Sequence, residues 1–503
     1  GLGDVYKRQD TRDSFDLIAA HASFSARLIP HRMGEPAIVA PPVAYTSAVS
    51  RRESISILDH AFHHRGLEIR PPSQQVVAHD QICTAEPFED PTLLPVLSML
   101  PHHAGLDLTK LRPVTQVLSA FLFMFCSWGV IGCYGTFFLY FKDVLLMQHS
   151  ASDVAWIGSV QQFLAVFVGV LTSKWVDYGY MYAMCTVGSI FIVLGIMMNG
   201  QGTQYVHIFF SHGVCVGLGT GLIYLPCITC CSEYYHQKPG VALGLATLGS
   251  SFGSLIFPII FNKLLPNIGY VWTIRTIGFL VMGLLLLALL LLRPRSKAIK
   301  SRQLFALYVF KDPAYIIFVL GYFLGNIGLY VPPYFLPSFG KHHKFSDAIF
   351  PFTTSFLKTG GILGRSLSIF LTKRIGVFGL YVPRTFSVAL IAFVWIAVRQ
   401  QGSFVVIVVL YGFLSGSLLS AIPMIVTKIT DDEGDVNTRL SIASLLSSVG
   451  SLVGAPIAAS LLDIEPPKYV RAQVFAGIFI ALSGVCMLIV RLMKVGPNWL
   501  VPF

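Results

Sequence analysis

Two basic residues stand inside a stretch otherwise suited to a membrane interior. Lys358 and Arg365 lie seven residues apart within 349–372, which is two helical turns, so they share one face about 10 Å apart along the axis. Thr354 and Gly361 fall on the same stripe and leave room beside the cations, and the segment contains no Asp or Glu. An ionisable side chain in lipid is costly and is a functional candidate by default. Two cations without an acid suit the binding of a small organic anion such as a carboxylate; for Arg365, helix packing or gating is the competing role. Asn326, Tyr330, Tyr334, Tyr134 and Tyr224 could supply polar lining, though tyrosines also anchor helix ends at interfaces. His207 and His212 are candidates for carrying a proton near neutral pH, against the commoner role of a merely hydrogen-bonded histidine. Arg275, in Trp272-Thr-Ile-Arg275, suits snorkelling or a structural pair better than substrate contact.

The elements that must hold these residues follow from composition. Of 503 residues, 54% are hydrophobic and 12% charged, where a soluble domain carries roughly a quarter charged. Stretches 114–141, 154–173, 239–262, 313–340, 400–427, 440–462 and 472–490 contain no Asp, Glu, Lys or Arg, and about 20 apolar residues suffice to cross a bilayer as a helix. The run 178–232 divides into two at Asn199-Gly-Gln-Gly-Thr-Gln204, and 268–292, 349–372 and 375–398 each add a span carrying one or two cations. The reading is an all-α membrane protein of twelve helices. A transmembrane barrel is excluded because the segments are continuously apolar rather than alternating.

The net charge of +11 does not point to nucleic acid, because its location is wrong. Up to Arg112 there are 11 Lys and Arg against 13 Asp and Glu, and the excess beyond sits at helix ends. The largest cluster, Arg293, Arg295, Lys297, Lys300, Arg302 and Lys311, separates the sixth and seventh spans and marks that loop, and with it both termini, as cytoplasmic. Lys341-His-His-Lys344 and the acidic Asp431-Asp-Glu-Gly-Asp435 run against the rule. Most of the nine cysteines fall inside spans. Cys227, Cys230 and Cys231 have metal-like spacing, but no second His or Cys pair lies nearby, so no metal or cofactor is expected. Residues 1–110, rich in Pro, His, Arg and Ser, read as a disordered cytoplasmic tail without a signal-peptide core. Positions 1–9 resemble translated sequencing adapter, and Arg51-Arg52-Glu53-Ser54 has the form of a kinase site common by chance.

The two halves repeat at one offset. Ser250-Ser-Phe-Gly-Ser-Leu255 recurs as Ser447-Ser-Val-Gly-Ser-Leu452, placing Gly253 and Gly450 in register. Gly219 and Pro226 match Gly416 and Pro423, and Gly179 matches Gly376, each 197 residues on. The expected organisation is a six-helix bundle over 111–292, a basic linker over 293–313, a second six-helix bundle over 314–493 and a short tail over 494–503. Repeats of this kind place a substrate between the halves and alternate access by rocking. Gly213, Gly217 and Gly221, and Gly244, Gly249 and Gly253, serve close packing of the fourth and fifth helices.

Read together, the fourth and fifth helices carry a family resemblance. Ser232-Glu-Tyr-Tyr-His-Gln-Lys-Pro-Gly-Val-Ala-Leu-Gly-Leu-Ala-Thr-Leu-Gly-Ser-Ser-Phe-Gly-Ser-Leu-Ile-Phe-Pro258, Ser127-Trp-Gly-Val-Ile-Gly-Cys-Tyr-Gly-Thr136 and Gly364-Arg365 resemble the monocarboxylate-porter branch of the major facilitator superfamily, especially its fungal members, over 108–494. The resemblance implies carriage of small carboxylates, often with a proton; fungal members are also similar to carriers of vitamins and secondary metabolites. Four positions depart from the pattern. Leu108-Thr-Lys-Leu-Arg-Pro113 replaces an Asp-Gly-Gly-Trp type motif, no lysine stands near Gly135, Gly361 replaces an acid, and the Asp-Arg-x-Gly loop is reduced to Asp177-Tyr-Gly179 and Lys373-Arg-Ile-Gly376. Arg365 therefore carries over as an anion ligand, whereas proton coupling does not. The expected function is transport of a small organic anion, a monocarboxylate first, across the plasma membrane. The alternatives are an exporter of a fungal secondary metabolite and a transport-inactive nutrient sensor signalling through the tail. No nucleotide-binding Gly-Lys motif marks a pump, and no nucleophile or carboxylate pair marks an enzyme.

Overall fold

A computed structural model describes residues 108–235, 239–294, 307–346, 348–430, 435–462 and 469–496. The expected disordered tail up to 107, the kinase-like tetrapeptide, most of the basic linker, the acidic loop from Asp431 to Gly434 and the last seven residues lie outside the described residues.

The described chain is helical throughout. α1 runs through Leu108–Cys126, Trp128–Gly132 and Tyr134–Tyr140 into a π turn at Phe141–Leu145; α2 is Ala151–Leu171 and α3 is Met181–Asn199. α4 begins with Tyr205–Ile208, passes through a π-helical segment, Phe209–Cys215, and continues as Val216–Tyr234. Pro239–Leu291 is helical at both ends but folds at Gly269, whose φ of 71° divides it into α5 and α6. α7 comprises Pro313–Leu329 and Val331–His342, α8 Thr353–Ile375, α9 Val377–Val394, α10 Gln401–Ser415 and Leu418–Ile429, α11 Val436–Ser460, and α12 Tyr469–Val495. Nine helices among the described residues are long and apolar enough to cross a membrane, the one spanning Gly269 counted once. α1 is divided into shorter pieces and α8 carries four cations, so these two lie outside that group although they pack as members of the bundles.

Local chemistry sets the ends. Ser150 opens α2 with a capping box: its Oγ accepts from the Asp153 amide and the Asp153 carboxylate accepts from the Ser150 amide, both at 3.0 Å. Asp312 caps α7 ahead of Pro313, whose missing N–H costs nothing at a first turn. The break in α7 at Tyr330 precedes Pro332 and Pro333, which cannot donate to the preceding turn.

Packing repeats between the halves. α1 lies on α5, α2 on α4 and α3 on α6, matched by α7 on α11, α8 on α10 and α9 on α12. Gly179 and Gly376 turn the chain with φ of 88° and 82°, a left-handed conformation costly for a residue with a side chain. Gly253 lies against the Phe125 carbonyl of α1 and Gly450 against the Phe323 carbonyl of α7, so tight that a Cβ at either position would collide with backbone. One register differs from the sequence pattern. Gly219 faces Gly188 of α3, whereas Gly416 faces Gly361 of α8. The contacts of Gly217 and Gly221 on α2 correspond to those of Gly412 and Gly416 on α8. The interruption of α10 between Ser415 and Leu418 absorbs the slip, so Pro226 and Pro423 still fall 197 residues apart inside their helices.

Candidate functional site

The halves meet along α2 with α11, α5 with α8, and the later turns of α1 with those of α7. We call the end where α1 begins the near end and the end where it stops the far end. The far end is sealed. Gly135 lies on the Pro333 carbonyl, and Thr136 donates to Thr354 at 3.1 Å. Tyr134 meets Tyr334 with ring centroids 5.0 Å apart, and Phe138 meets Phe335 edge-on at 5.2 Å. Asn262 donates to the Pro351 carbonyl, Ser355 to that of Leu255 and Ser152 to that of Pro456, while Lys341 pairs with Asp143 at 2.5 Å. Gly135 has no room for a side chain, which gives a physical reason for the missing lysine at this level of α1.

Between that seal and the near end lies the α8 stripe. Lys358, half-buried, reaches from α8 to α1 of the other half, its Nζ 3.0 Å from where a Cβ on Gly132 would sit and beside Cys133. Among the described residues no carboxylate pairs with it. Gly132 leaves it this position, since a Cβ there would collide with the Ser254 hydroxyl, which donates to the carbonyls of Gly129 and Ser250. Arg365 is engaged differently. Its Nε donates to the Gly416 carbonyl of α10 at 2.6 Å, and Nη1 donates across the halves to the Thr247 carbonyl and Ser250 hydroxyl of α5 at 3.3 and 3.2 Å. Gly416 lets α10 approach α8: a Cβ there would come within 2.7 Å of the Gly361 Cα, whereas a Cβ on Gly361 would meet its nearest neighbour at 3.6 Å.

The remaining expected residues separate into groups. Tyr224 and Tyr330 come within electrostatic range of the Arg365 guanidinium. Tyr224 also packs edge-on against Trp128 at 5.4 Å, whose indole N–H is buried without a partner. Tyr134 belongs to the far seal, its hydroxyl donating to the Val154 carbonyl at 2.5 Å. Asn326 donates to the Tyr322 carbonyl and lines a small cavity inside the second bundle with Tyr381, Thr385 and Ser483. His212 is buried inside the first bundle, whereas His207 packs against Gly202 near the far end of α4. Arg275 lies over the Trp272 ring at 5.1 Å. The cysteines of α4 pack on α1, Cys230 facing the Gln116 amide and Cys227 the Ala120 carbonyl.

Two further residues, Trp128 near the seam and Arg384 inside the second bundle, were not singled out from the sequence. Trp128 offers its orphaned donor. Arg384 of α9, 7% exposed, donates to the hydroxyls of Ser368 and Ser417 and lies 5.7 Å over Phe413. Its signal was an uncompensated cation in an apolar run.

Two repeated helical bundles meeting on a seam that is sealed at the far end have the architecture of a membrane transporter. Over residues 117–433 the chain matches the Major Facilitator Superfamily, and it belongs to that superfamily. Its relatives are fungal. The MFS-type transporter dbaD of Emericella nidulans is 30% identical over 371 residues, covering 73% of this chain and 84% of that one. The Aspyridones efflux protein apdF of the same organism is 28% identical, covering 72% and 74%. The Fujikurins efflux protein of Gibberella fujikuroi is 29% identical, covering 74% and 81%. Among solved structures, the nucleoside transporter NupG superposes with a TM-score of 0.55 over 75% of this chain and 98% of that one at 17% identity, a likeness of fold.

Proposed function

We propose that this protein exports a small secondary metabolite bearing a carboxylate, by alternating access between its two bundles. The observation that carries the reading is Lys358: a cation on the seam, facing the opposite bundle, with no acid among the described residues beside it. A buried charge is retained against its desolvation cost when a partner of opposite sign uses it. An anionic substrate group supplies that partner. The relatives named as efflux proteins favour export over uptake, and the motifs of the monocarboxylate-porter type agree with an acidic substrate. Arg365, with its donors on backbone and hydroxyl oxygens of three helices, acts in holding the bundles together at the level just below Lys358. The positive loop between α6 and α7 places the near end in the cytoplasm, so the sealed far end faces outward. The plasma membrane is the expected location.

The test is reconstitution of the full chain into vesicles and counterflow of a panel of aromatic and polyketide-type acids alongside their methyl esters. Transport of acids with esters left behind is the expected result. Esters moving as fast as acids would remove the charge from the recognition and with it this reading.

A further inference from the structure

We propose that His212 is the proton-carrying group of this transporter and that it works inside the first bundle, away from the seam that holds Lys358. The proposal rests on the export reading, since export against a gradient needs a driving ion.

His212 lies in the π-helical segment of α4, an irregularity found mostly at functional sites. It is 1% exposed. Its Nδ1 is 3.3 Å from the side-chain nitrogen of Asn199 on α3, while its Nε2 is buried without a hydrogen-bond partner among the described residues. Both residues line a small cavity between α1, α3, α4, α5 and α6 with room for about one water molecule. The buried hydroxyl of Tyr270 faces the Asn199 side chain and makes a weak hydrogen-bonding contact with it. Three rings of α1 surround the imidazole, with centroids at 5.0 Å for Phe137, 5.7 Å for Phe141 and 5.8 Å for Tyr134.

This arrangement accommodates both protonation states. With Nδ1 unprotonated, it accepts from the Asn199 amide, as the observed distance allows. With both nitrogens protonated, a flip of that amide brings its oxygen to Nδ1–H, while Nε2–H points into the cavity. The imidazolium then gains a cation–π contribution from rings within about 6 Å. The proton enters and leaves as such through the cavity, with no other bond made or broken.

The groups facing the imidazole are few. α1 presents Cys133 and Tyr134, and α6 presents Tyr270 through Asn199. The ionisable residues of α2 and α5 are elsewhere: Asp153 in the capping box and Lys263 exposed. On α3, Tyr182 is exposed and Cys185 interacts with Cys230. Arg275 of α6 lies over Trp272. No charged side chain among the described residues hydrogen-bonds to it.

The connection to transport is mechanical. Tyr134, in ring contact with His212, also meets Tyr334 of the second bundle, and the neighbouring Gly135, Thr136 and Phe138 form the far seal. A change of charge at His212 acts on the turns of α1 that close the outer end.

The experiment uses the full chain in lipid nanodiscs with protons as the only ligand. Spin labels are placed at Met147→Cys and Lys344→Cys, exposed positions at the far ends of the two bundles, with Cys83 and the partly exposed Cys215 and Cys486 replaced by Ala. The expected result is a reversible change in the inter-label distance with a midpoint in the range about pH 5 to 8. His212→Gln abolishes it, His207→Gln keeps it, and Asn199→Leu shifts the midpoint by about half a pH unit or more. A wild type with no pH response, or His212→Gln with the response intact, overturns the proposal. If His212→Gln does not elute as a folded monodisperse protein, an unmoved midpoint in Asn199→Leu overturns it instead. Because no substrate is present, the carboxylate reading can fail without touching this result.

Discussion

The two bundles share a packing plan but hold opposite kinds of polar group. In the first bundle the buried polar centre is neutral, built from Asn199, His212 and Tyr270 with rings around it. In the second, Lys358, Arg365 and Arg384 stand on α8 and α9 with no carboxylate partner among the described residues, and two of them spend their donors on hydroxyl and carbonyl oxygens. Duplication accounts for the glycine contacts and helix pairs; the chemistry comes from where the copies diverged. A lysine on the second copy faces a glycine on the first, and that asymmetry places a cation on the seam.

The largest test of this division is removal of that charge. Lys358→Gln should lower carboxylate transport on the order of 100-fold, the loss expected for a hydrogen bond to a charged group, with folding and far-end closure unchanged. Vesicle counterflow with matched protein levels reads it, and near wild-type rates would move substrate recognition away from the second bundle. A smaller effect is expected where the bundles touch. Gly135→Leu places a side chain on the Pro333 carbonyl, an overpacking of about 1–3 kcal/mol against the closed far end. The distance between labels at Met147→Cys and Lys344→Cys should lengthen. Gly402→Leu, which meets nothing within 4 Å, should leave it as it was.

Much of this architecture is legible in the sequence because lipid permits few solutions. Every backbone group must be satisfied within a helix, so apolar length and breaks mark the rods, and small residues mark where the rods touch. The repeat at 197 residues was legible because Gly179 and Gly376, and Gly253 and Gly450, are each fixed by backbone geometry. The partners of Arg365 were not legible, since a cation in a helix looks the same whether it awaits an anion or binds the carbonyl of Gly416. Tyr134 and Asn326 have the composition of cavity lining, yet one seals the far end and the other faces its own bundle. Helical periodicity gives the face of a residue but not which of several neighbours that face meets. The mismatch of Gly219 and Gly416 has a similar source: an interruption in α10 shifts the register, and identical offsets in sequence then lead to different contacts.

The smallest contrast lies at the near ends. In the first bundle a neutral side chain closes the corner: the Gln116 amide donates to the Leu291 carbonyl at 2.8 Å and accepts from the Arg293 amide at 2.9 Å, tying α1 to the end of α6. In the second bundle the matching corner is ionic. Asp312 accepts from Arg439 of α11 at 2.9 Å and lies 3.8 Å from Lys494 of α12. Burial pushes the Asp312 carboxyl up, but the Arg439 hydrogen bond, the Lys494 charge and the Ala314 N–H together outweigh it and leave the carboxyl below its ordinary value of 3.8. A carboxylate depressed in the folded state contributes stability above its unfolded value, and the contribution is lost as the pH falls through the native one. Asp312→Asn should therefore melt at a lower temperature than wild type at pH 7, with the gap closing as the pH drops below about 4. High salt should narrow the gap as well, because the pair is partly exposed and screened. Gln116→Leu should also lower the melting temperature, yet by an amount indifferent to both pH and salt, since it removes neutral hydrogen bonds. Thermal melting of the two variants in detergent across pH and salt separates the corners; a Gln116→Leu deficit that tracked pH as Asp312→Asn does would mean that one cooperative unit, rather than two differently built bundles, sets the near-end stability.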